Sequence, residues 1–382
     1  MVVLMMMSAT RLCAHSSFGV MFERMWGFPS SEDGISLGVS ACFAGVIGDT
    51  LVMAGGCNFP TVPAAEGGMK RYYRGIYAAV IDGGNRLDWQ LVGWLPEAAA
   101  YGVSVSTDEG LLCVGGCNEA RSLRSAWLIK LQDGKASVSM LPMLPHEMDN
   151  FTGAGHDGQV MVSDGEQIYA LNLNDSAQSW HTVARVGERR LHQPVSGFMG
   201  RTFCLWGGIM PKTANHETAL QMGGWQYHGA QLPLPGPVDA QGDTIYLGGA
   251  ATVNLTATSV LAVGGVNHEV FLSAVTHPEP DYMTHPAEWY RFNPYLCLFE
   301  NGDWKIIGRS PVTARAGAAL VKHGHVVYII GGELKPGVRT PQIFAIRHLP
   351  FSKSSCLYKD SSYLYNESPC FYNKEQSSTA YD

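Results

Sequence analysis

A glutamate and an arginine lie six residues apart in the segment GGELKPGVRT, residues 331–340. The segment follows the apolar run VVYII, and its Pro336 and Gly337 favour a turn. We therefore expect Glu333 and Arg339 to lie side by side at the end of a strand. A carboxylate there is either a structural ion-pair partner or a general base, and an arginine beside it can grip an anion through two parallel hydrogen bonds. Such a pair suits proton transfer on a small acidic substrate.

Short apolar runs that end in Gly-Gly recur along the chain. Their first glycines are residues 55, 115, 207, 264 and 331. The long step from 115 to 207 contains a degenerate member, VMVSDGE at 160–166, which brings the number of units to six. Each unit contains further strand-like runs, and helical periodicity is nearly absent. Units of four short strands closed by Gly-Gly predict an all-β fold, a six-bladed kelch-type β-propeller.

The sixth unit contains only three strands before His348, so the ring needs a strand from elsewhere. The run VMFERMWGFP at 20–29 can supply it, and an open edge strand would be a liability. We predict that residues 20–28 pair with 342–348 and close the ring in the last blade. Residues 1–17 are predicted to be a disordered extension, 18–348 the propeller, and 349–382 a low-complexity tail.

In a four-stranded blade, the loops after strands two and four open on the same face. Ring closure then makes the segment NFPTVPAAEGGMKRYY, residues 58–73, face the segment that carries Glu333. We expect a group of substrate-binding residues around this channel mouth, although Lys70 could equally be a solvated loop residue. The group comprises Arg339, Glu66, Lys70, Asn58, Tyr101 and Arg315.

Composition excludes several classes of partner. The net charge is −7 with no long basic run, which argues against nucleic acid. No apolar stretch approaches the roughly 20 residues of a membrane helix, so no membrane partner is expected. Cys113 and Cys117 have the wrong spacing for zinc, and the histidines are scattered, so we expect no metal. The nine cysteines are odd in number, which favours buried free thiols and a reducing compartment.

The chain resembles the cyclically permuted mutarotases, relatives of bacterial N-acetylneuraminate epimerase. The resemblance covers about residues 36–348. Its motifs are FAGVIGDTLVMAGGCNFP, AAEGGMKRYYRGIY, AYGVSV, AEWYRFNPYLCLFENGDW and, most specifically, GGELKPGVRT. It implies a six-bladed kelch propeller that acts on a small acidic sugar without a cofactor. It also implies that Glu333 is the proton acceptor and Arg339 its companion.

The expected activity is therefore interconversion of the α and β anomers of N-acetylneuraminate by acid/base ring opening and closure. The alternative is a non-catalytic kelch propeller that binds a protein or a glycan. Such a scaffold would not need Glu333 but would expose a large apolar patch. The N-terminus makes a poor signal peptide, which favours the cytoplasm, whereas the resemblance leaves the periplasm open. A homodimer is also compatible with the sequence.

Overall fold

The fold was analysed in a computed structural model, which describes residues 13–15, 19–175 and 179–350. The chain divides into a unit Met1–Phe351 and a segment Ser352–Asp382, and that segment lies outside the described residues. The predicted tail therefore lies outside them beyond residue 350, and so does most of the predicted extension. Cys13–His15, within that extension, forms a strand. The proposed domain boundaries stay predictions.

The described residues form six antiparallel sheets of at least four strands each, and each sheet is one blade of a propeller. The first strand of each blade lies next to the first strands of the neighbouring blades, around a central channel. The strands of blade 1 are Phe43–Ile47, Thr50–Ala54, Gly75–Val80 and Gln90–Trp94. Those of blade 2 are Val103–Thr107, Gly110–Val114, Ala126–Gln132 and Lys135–Leu141. Those of blade 3 are Thr152–His156, Gln159–Ser163, Gln167–Asn172 and His181–Arg185.

Blades 4 and 5 follow the same order. The strands of blade 4 are Val195–Met199, Thr202–Trp206, Gly224–Tyr227 and Gln231–Leu234. Those of blade 5 are Ala251–Thr256, Ser259–Val263, Tyr295–Glu300 and Asp303–Arg309. The number of blades agrees with the six units predicted from the Gly-Gly repeat, and the prediction of a six-bladed kelch-type propeller is confirmed.

Blade 6 is completed from the other end of the chain. Its first three strands are Ala319–His323, Val326–Ile330 and Ile343–Arg347. Met21–Met25 pairs antiparallel with Ile343–Arg347, and Cys13–His15 adds an outer fifth strand. Phe22 in the closing strand is fully buried, so closure also buries apolar surface. The predicted pairing of residues 20–28 with 342–348 is confirmed.

A closed ring of six backbone hydrogen bonds joins the blades at the channel mouth. Each blade enters its first strand through one residue with positive φ, between 52° and 71°. The N–H of each such residue donates to the carbonyl of its counterpart in the preceding blade, at 2.6–3.1 Å. The last bond, from Ala41 N–H to the Gly317 carbonyl, ties blade 1 to blade 6. The six residues are Ala41, Tyr101, Asn150, Gln193, Gly249 and Gly317.

The Gly-Gly pairs bring the end of the second strand against the next blade. In blade 6, Gly331 and Gly332 have φ of 60° and 96°, and Gly332 N–H donates to the Val39 carbonyl at 2.9 Å. A Cβ on Gly331 would overlap that same carbonyl oxygen. The pairs therefore permit a close backbone contact between neighbouring blades, including the contact that joins the last blade to the first.

The loops between second and third strands carry short elements of their own. Blade 5 has the longest, with an α-helix, His268–Thr276, and a 3-10 helix, Ala287–Tyr290. The other 3-10 helices are Ile35–Leu37, Ala64–Glu66 and Pro311–Thr313. Three small hairpins pair Cys57–Asn58 with Arg71–Tyr72, Ile209–Met210 with Ala219–Leu220, and Glu333–Lys335 with Val338–Arg339. None of the helices in the described part of the chain is long and apolar enough to cross a membrane.

The contact at Gly331 yields a test of ring closure. Gly331→Ala should lower the free energy of unfolding by about 2–5 kcal/mol. The added methyl group would strain the backbone at positive φ and would also overlap the Val39 carbonyl oxygen. Gly324→Ala is the matched control, since Gly324 has φ of 55° but open space around its Cα, and should cost only about 1–2 kcal/mol. Urea unfolding of both variants measures the difference. Equal losses would contradict the close contact between blades 6 and 1.

Candidate functional site

A cavity of about 390 Å³ occupies the channel mouth on the face where the Gly-Gly loops open. All six residues of the hydrogen-bonded ring line it, together with Glu333 from blade 6 and apolar side chains from the long loop of blade 5. A second cavity, of about 500 Å³, lies off the axis beside blades 2 and 3. Its Asp164 carboxylate is already held by His146 and Arg190. The central cavity, which contains Glu333, is therefore the candidate active site.

Glu333 is fixed by its own hairpin. The residue pairs with Arg339 across the two short strands, as the Pro336-Gly337 turn predicted. Its Oε1 accepts hydrogen bonds from Gly337 N–H at 2.5 Å and from Arg339 Nη1 at 3.2 Å. The backbone of Glu333 exchanges hydrogen bonds with Ala316, at the entrance to blade 6. The carboxylate thus has a defined position in the cavity wall.

Arg339 lies behind this carboxylate. Its side chain is only 4% exposed, its Nε donates to Ser40 Oγ at 3.0 Å, and its guanidinium carbon lies 4.9 Å from the Phe59 ring centroid. Burial acts to lower the pKa of Arg339, but the Glu333 carboxylate, with Tyr101 and Cys57, raises it above its ordinary value. The arginine therefore stays charged, and Glu333 is held against a permanent cation.

Tyr101 connects the base to the blade 1 loop. It belongs to the hydrogen-bonded ring, with φ of 62°, and its phenol oxygen accepts a hydrogen bond from Lys70 Nζ at 3.1 Å. Burial, reinforced by the Cys57 thiol, raises the pKa of Tyr101 well above its ordinary value, although Arg339 acts in the opposite direction. The phenol is consequently protonated at neutral pH, and Lys70 is engaged with it instead of lying free in solvent.

Three of the predicted binding residues lie elsewhere. Asn58 is 2% exposed, and its amide is used up by the Gly34 and Gly38 carbonyls and by the Tyr73 hydroxyl. Glu66 is exposed on a 3-10 helix and does not line the cavity. The site thus brings together Glu333, Arg339, Tyr101 and Lys70, but neither Asn58 nor Glu66.

Arg315 is the third residue that lies outside the cavity. It is 1% exposed and donates to the carbonyls of Val312, Gly331 and Gln342. Burial lowers its pKa to about 10, with a smaller contribution from Arg24. Its contacts are all structural, and they hold the loop before blade 6 against the Gly-Gly turn.

Several cavity residues were not anticipated. Asn150 and Gln193 line the mouth because they occupy the ring positions of blades 3 and 4, equivalent to Tyr101 in blade 2. Aligning the units on the start of each first strand would have revealed them, since each ring residue precedes that strand by two positions. Val266, Phe271 and Phe292 come from the blade 5 loop and form an apolar wall.

One group of side chains on the blade 5 loop has the residue types of a metal site. The donor atoms of Glu279, Asp281 and His285 lie within 4.8 Å of one another. Both carboxylates are exposed, and none of the three residues lines the central cavity. We assign no catalytic role to this group.

Comparison with known proteins was made by sequence and by structure. Residues 141–361 match the family model described as N-acetylneuraminate epimerase. The N-acetylneuraminate epimerase of Salmonella typhi is 28% identical over 224 residues, which cover 54% of this chain and 58% of the relative. That of Escherichia coli K12 is 26% identical over 249 residues, covering 58% and 64%. A solved structure titled "Structure of YjhT" is 26% identical with a TM-score of 0.46, and covers 54% of this chain and 63% of that one. The matched part of the chain thus spans less than two thirds of each of these proteins.

The burial of Arg315 leads to a prediction about stability. Arg315→Met should destabilise the protein by about 3 kcal/mol or more, because three carbonyl groups, that of Gly331 buried, lose a charged donor. Arg201→Met, at an exposed hairpin position, is the control and should leave stability within about 0.5 kcal/mol of wild type. Thermal and urea unfolding report both. An unchanged melting temperature for Arg315→Met would contradict the structural role.

Proposed function

The chain belongs to the N-acetylneuraminate epimerase family, and we propose that it interconverts the α and β anomers of N-acetylneuraminate. The observation that carries this proposal is the Glu333 carboxylate, which lines the central cavity while Gly337 N–H and Arg339 hold its Oε1. Both hydrogen bonds go to Oε1. Among the described residues, no hydrogen bond to Oε2 is formed, which leaves that oxygen available for a proton.

The reaction requires two proton transfers. A base removes the proton from the anomeric hydroxyl while an acid protonates the ring oxygen. The bond between the anomeric carbon and the ring oxygen breaks, and the open-chain keto sugar forms. Rotation of the carbonyl group then presents its other face, and the two transfers run in reverse to close the ring. No atoms are gained or lost, so the protein needs only a positioned base, a positioned acid and room for the rotation.

Glu333 is the proposed base and Tyr101 the proposed acid. Both residues line the same cavity, and the raised pKa of Tyr101 keeps its phenol protonated. Lys70 donates to the phenol oxygen, so the phenol's own proton remains available to the sugar ring oxygen. General acid–base catalysis of this kind contributes about 10²–10⁴-fold. This acceleration suffices for a ring opening that also proceeds slowly in water.

The charge of the cavity wall supports an acidic sugar. Glu333 is the one charged residue among those that line the cavity. Two cations lie behind the lining residues: Arg339 contacts Glu333, and Lys70 contacts Tyr101. The wall therefore carries a net positive charge, which attracts an anion. Direct contact of Arg339 with the substrate carboxylate was predicted from the sequence. Because its side chain is only 4% exposed, we propose instead that Arg339 acts through Glu333, which it holds in place.

The activity can be tested by NMR, by following freshly released α-N-acetylneuraminate as it equilibrates. Wild type should speed the approach to anomeric equilibrium, and Glu333→Gln should lower kcat by about 10²-fold or more with little change in KM, because the base is lost. Glu188→Gln, at an exposed position on blade 3, is the matched control and should keep full activity. If wild type does not speed equilibration, the non-catalytic scaffold that binds a protein or glycan becomes the better description.

A second substitution distinguishes two roles for Arg339, which are positioning Glu333 and binding the substrate carboxylate directly. Lysine cannot keep both the Ser40 and the Glu333 contacts of the planar guanidinium, so Arg339→Lys should misplace the base. We expect kcat to fall about tenfold for the sugar acid and for its methyl ester alike, a loss on the order of 1.4 kcal/mol in transition-state stabilisation. A loss confined to the acid, in KM, would show that Arg339 binds the substrate carboxylate directly.

A further inference from the structure

The ring of positive-φ residues gives the cavity two unlike halves. In blades 2 to 4 the ring positions carry Tyr101, Asn150 and Gln193, whereas in blades 5 and 6 they carry Gly249 and Gly317. The floor of the cavity is therefore lined by side chains on one half and by bare backbone on the other. The bare half lies beside the apolar wall of the blade 5 loop.

A short chain of hydrogen bonds orients the Gln193 amide. Asp149 accepts from Ser122 Oγ through one oxygen and from Asn150 Nδ2 through the other, at 2.6 Å. Because an ionised carboxylate only accepts, the Asn150 amide must present its nitrogen to Asp149 and its Oδ1 to Gln193. Gln193 Nε2 then donates to that Oδ1 at 3.5 Å. The remaining atom, Gln193 Oε1, is an oriented acceptor, and no hydrogen bond to it is formed within the described part of the chain.

This acceptor and the apolar wall meet above Gly249. A carbon placed at the Cβ position of Gly249 would lie 3.3 Å from Gln193 Oε1, 3.5 Å from Ala316 Cβ and 3.8 Å from Val266 Cγ1. Phe271 and Phe292 extend the apolar surface within the same cavity. The point above Gly249 thus offers a hydrogen-bond acceptor on one side and packing for a methyl group on the other.

The backbone at Gln193 is also unusual for its residue type. Its φ is 58°, a left-handed conformation in which glutamine is uncommon, while the next two blades use glycine at the equivalent position. Strain of this kind costs on the order of 1 kcal/mol or more and is concentrated at functional sites. A glutamine here is accordingly a sign that its side chain is used.

We propose that the surface above Gly249 is a subsite for an acylamino group of the substrate. The amide N–H of that group donates to Gln193 Oε1, and its methyl group packs against Val266, Ala316 and the two phenylalanines. An acylamino group fits because it places a donor directly beside an apolar methyl. The inference rests on the proposed function, since it deepens the choice of sugar, and it makes Gln193 a specificity-determining residue.

Three sugars test the subsite. They are the acylamino sugar acid, its acyloxy analogue, which keeps the methyl but lacks the N–H, and its hydroxyl analogue, which lacks the acyl group. Wild type should prefer the acylamino sugar over the acyloxy analogue by about tenfold in KM and in Kd, the contribution of one hydrogen bond. Gln193→Leu should abolish this preference, both in KM and in Kd. Gln231→Leu, on the outer strand of blade 4, is the matched control and should keep the preference.

A second variant probes the space itself. Gly249→Ala places a methyl group where the acyl group would sit, and Ala41 shows that the ring accepts alanine at this φ. It should weaken binding of the acylamino sugar about tenfold or more and spare the hydroxyl analogue. If Gln193→Leu keeps the preference for N–H, or if Gly249→Ala weakens all three sugars equally, the subsite is wrong.

Binding and turnover together separate this inference from the proposed activity. Calorimetric Kd values that follow the predicted pattern without faster anomer exchange would support the subsite and reject the mutarotase. If wild type speeds anomer exchange but Gln193→Leu has the same Kd values and rates as wild type, the mutarotase is supported and the subsite is rejected. If wild type neither binds nor converts any of the three sugars, both proposals fail.

Discussion

Six backbone hydrogen bonds that run head to tail around the channel mouth set the geometry of the whole site. A ring of this kind closes only if every blade enters its first strand at the same distance from the axis and with the same backbone bend. The bend is a single residue at positive φ, and all six of these residues line the cavity. The hydrogen-bonded ring that closes the fold therefore also creates six equivalent positions around the cavity. Each position can carry a polar side chain, an aromatic side chain or a glycine.

The blades differ in the loop that follows their second strand, and these differences make the cavity asymmetric. Blade 3 has Asp164 where the other blades have the first glycine, and its carboxylate accepts from the backbone N–H groups of Glu166 and Gln167. The resulting turn is tight, so blade 3 sends no long loop over the mouth. Blade 5 does the opposite, with about 30 residues that form an apolar wall. The hairpin of blade 6 contributes the Glu333 carboxylate, which Arg339 holds in place. A substrate in the cavity consequently meets charge, amides and apolar surface from different sides.

The sequence predicted those parts of the molecule that depend on local pattern. The Gly-Gly repeat gave the number of blades, and Pro336-Gly337 gave the pairing of Glu333 with Arg339. Arg315 and Asn58 were predicted to bind substrate, and the structure buries both of them, because backbone groups distant in the local sequence pattern hold their side chains. Asn150 and Gln193 were missed for the same reason, since their conformation is imposed by hydrogen bonds between blades.

The short helix of blade 5 was also not predicted, although the sequence signal for its start is local. Asn267 caps His268–Thr276 by accepting from Val270 N–H, and an asparagine followed by an acidic residue in the first turn is a recognisable start.

The closing strand has a consequence for how the protein is made. Met25 pairs with Ile343, and the two are separated by 343 − 25 = 318 residues. At a synthesis rate of about 5–20 residues per second, the ribosome releases the partner strand roughly 15–60 s after the first. During this interval, the Met21–Met25 segment lacks its partner in blade 6, although Cys13–His15 can pair with its other edge, and Phe22 lacks the core that buries it. Blades 1 to 5 can form in order as they emerge, but the ring can close only after the last blade has left the ribosome. Until blade 6 emerges, the nascent chain thus carries a strand with one unpaired edge and an uncovered Phe22, and this segment is where we expect chaperones to bind.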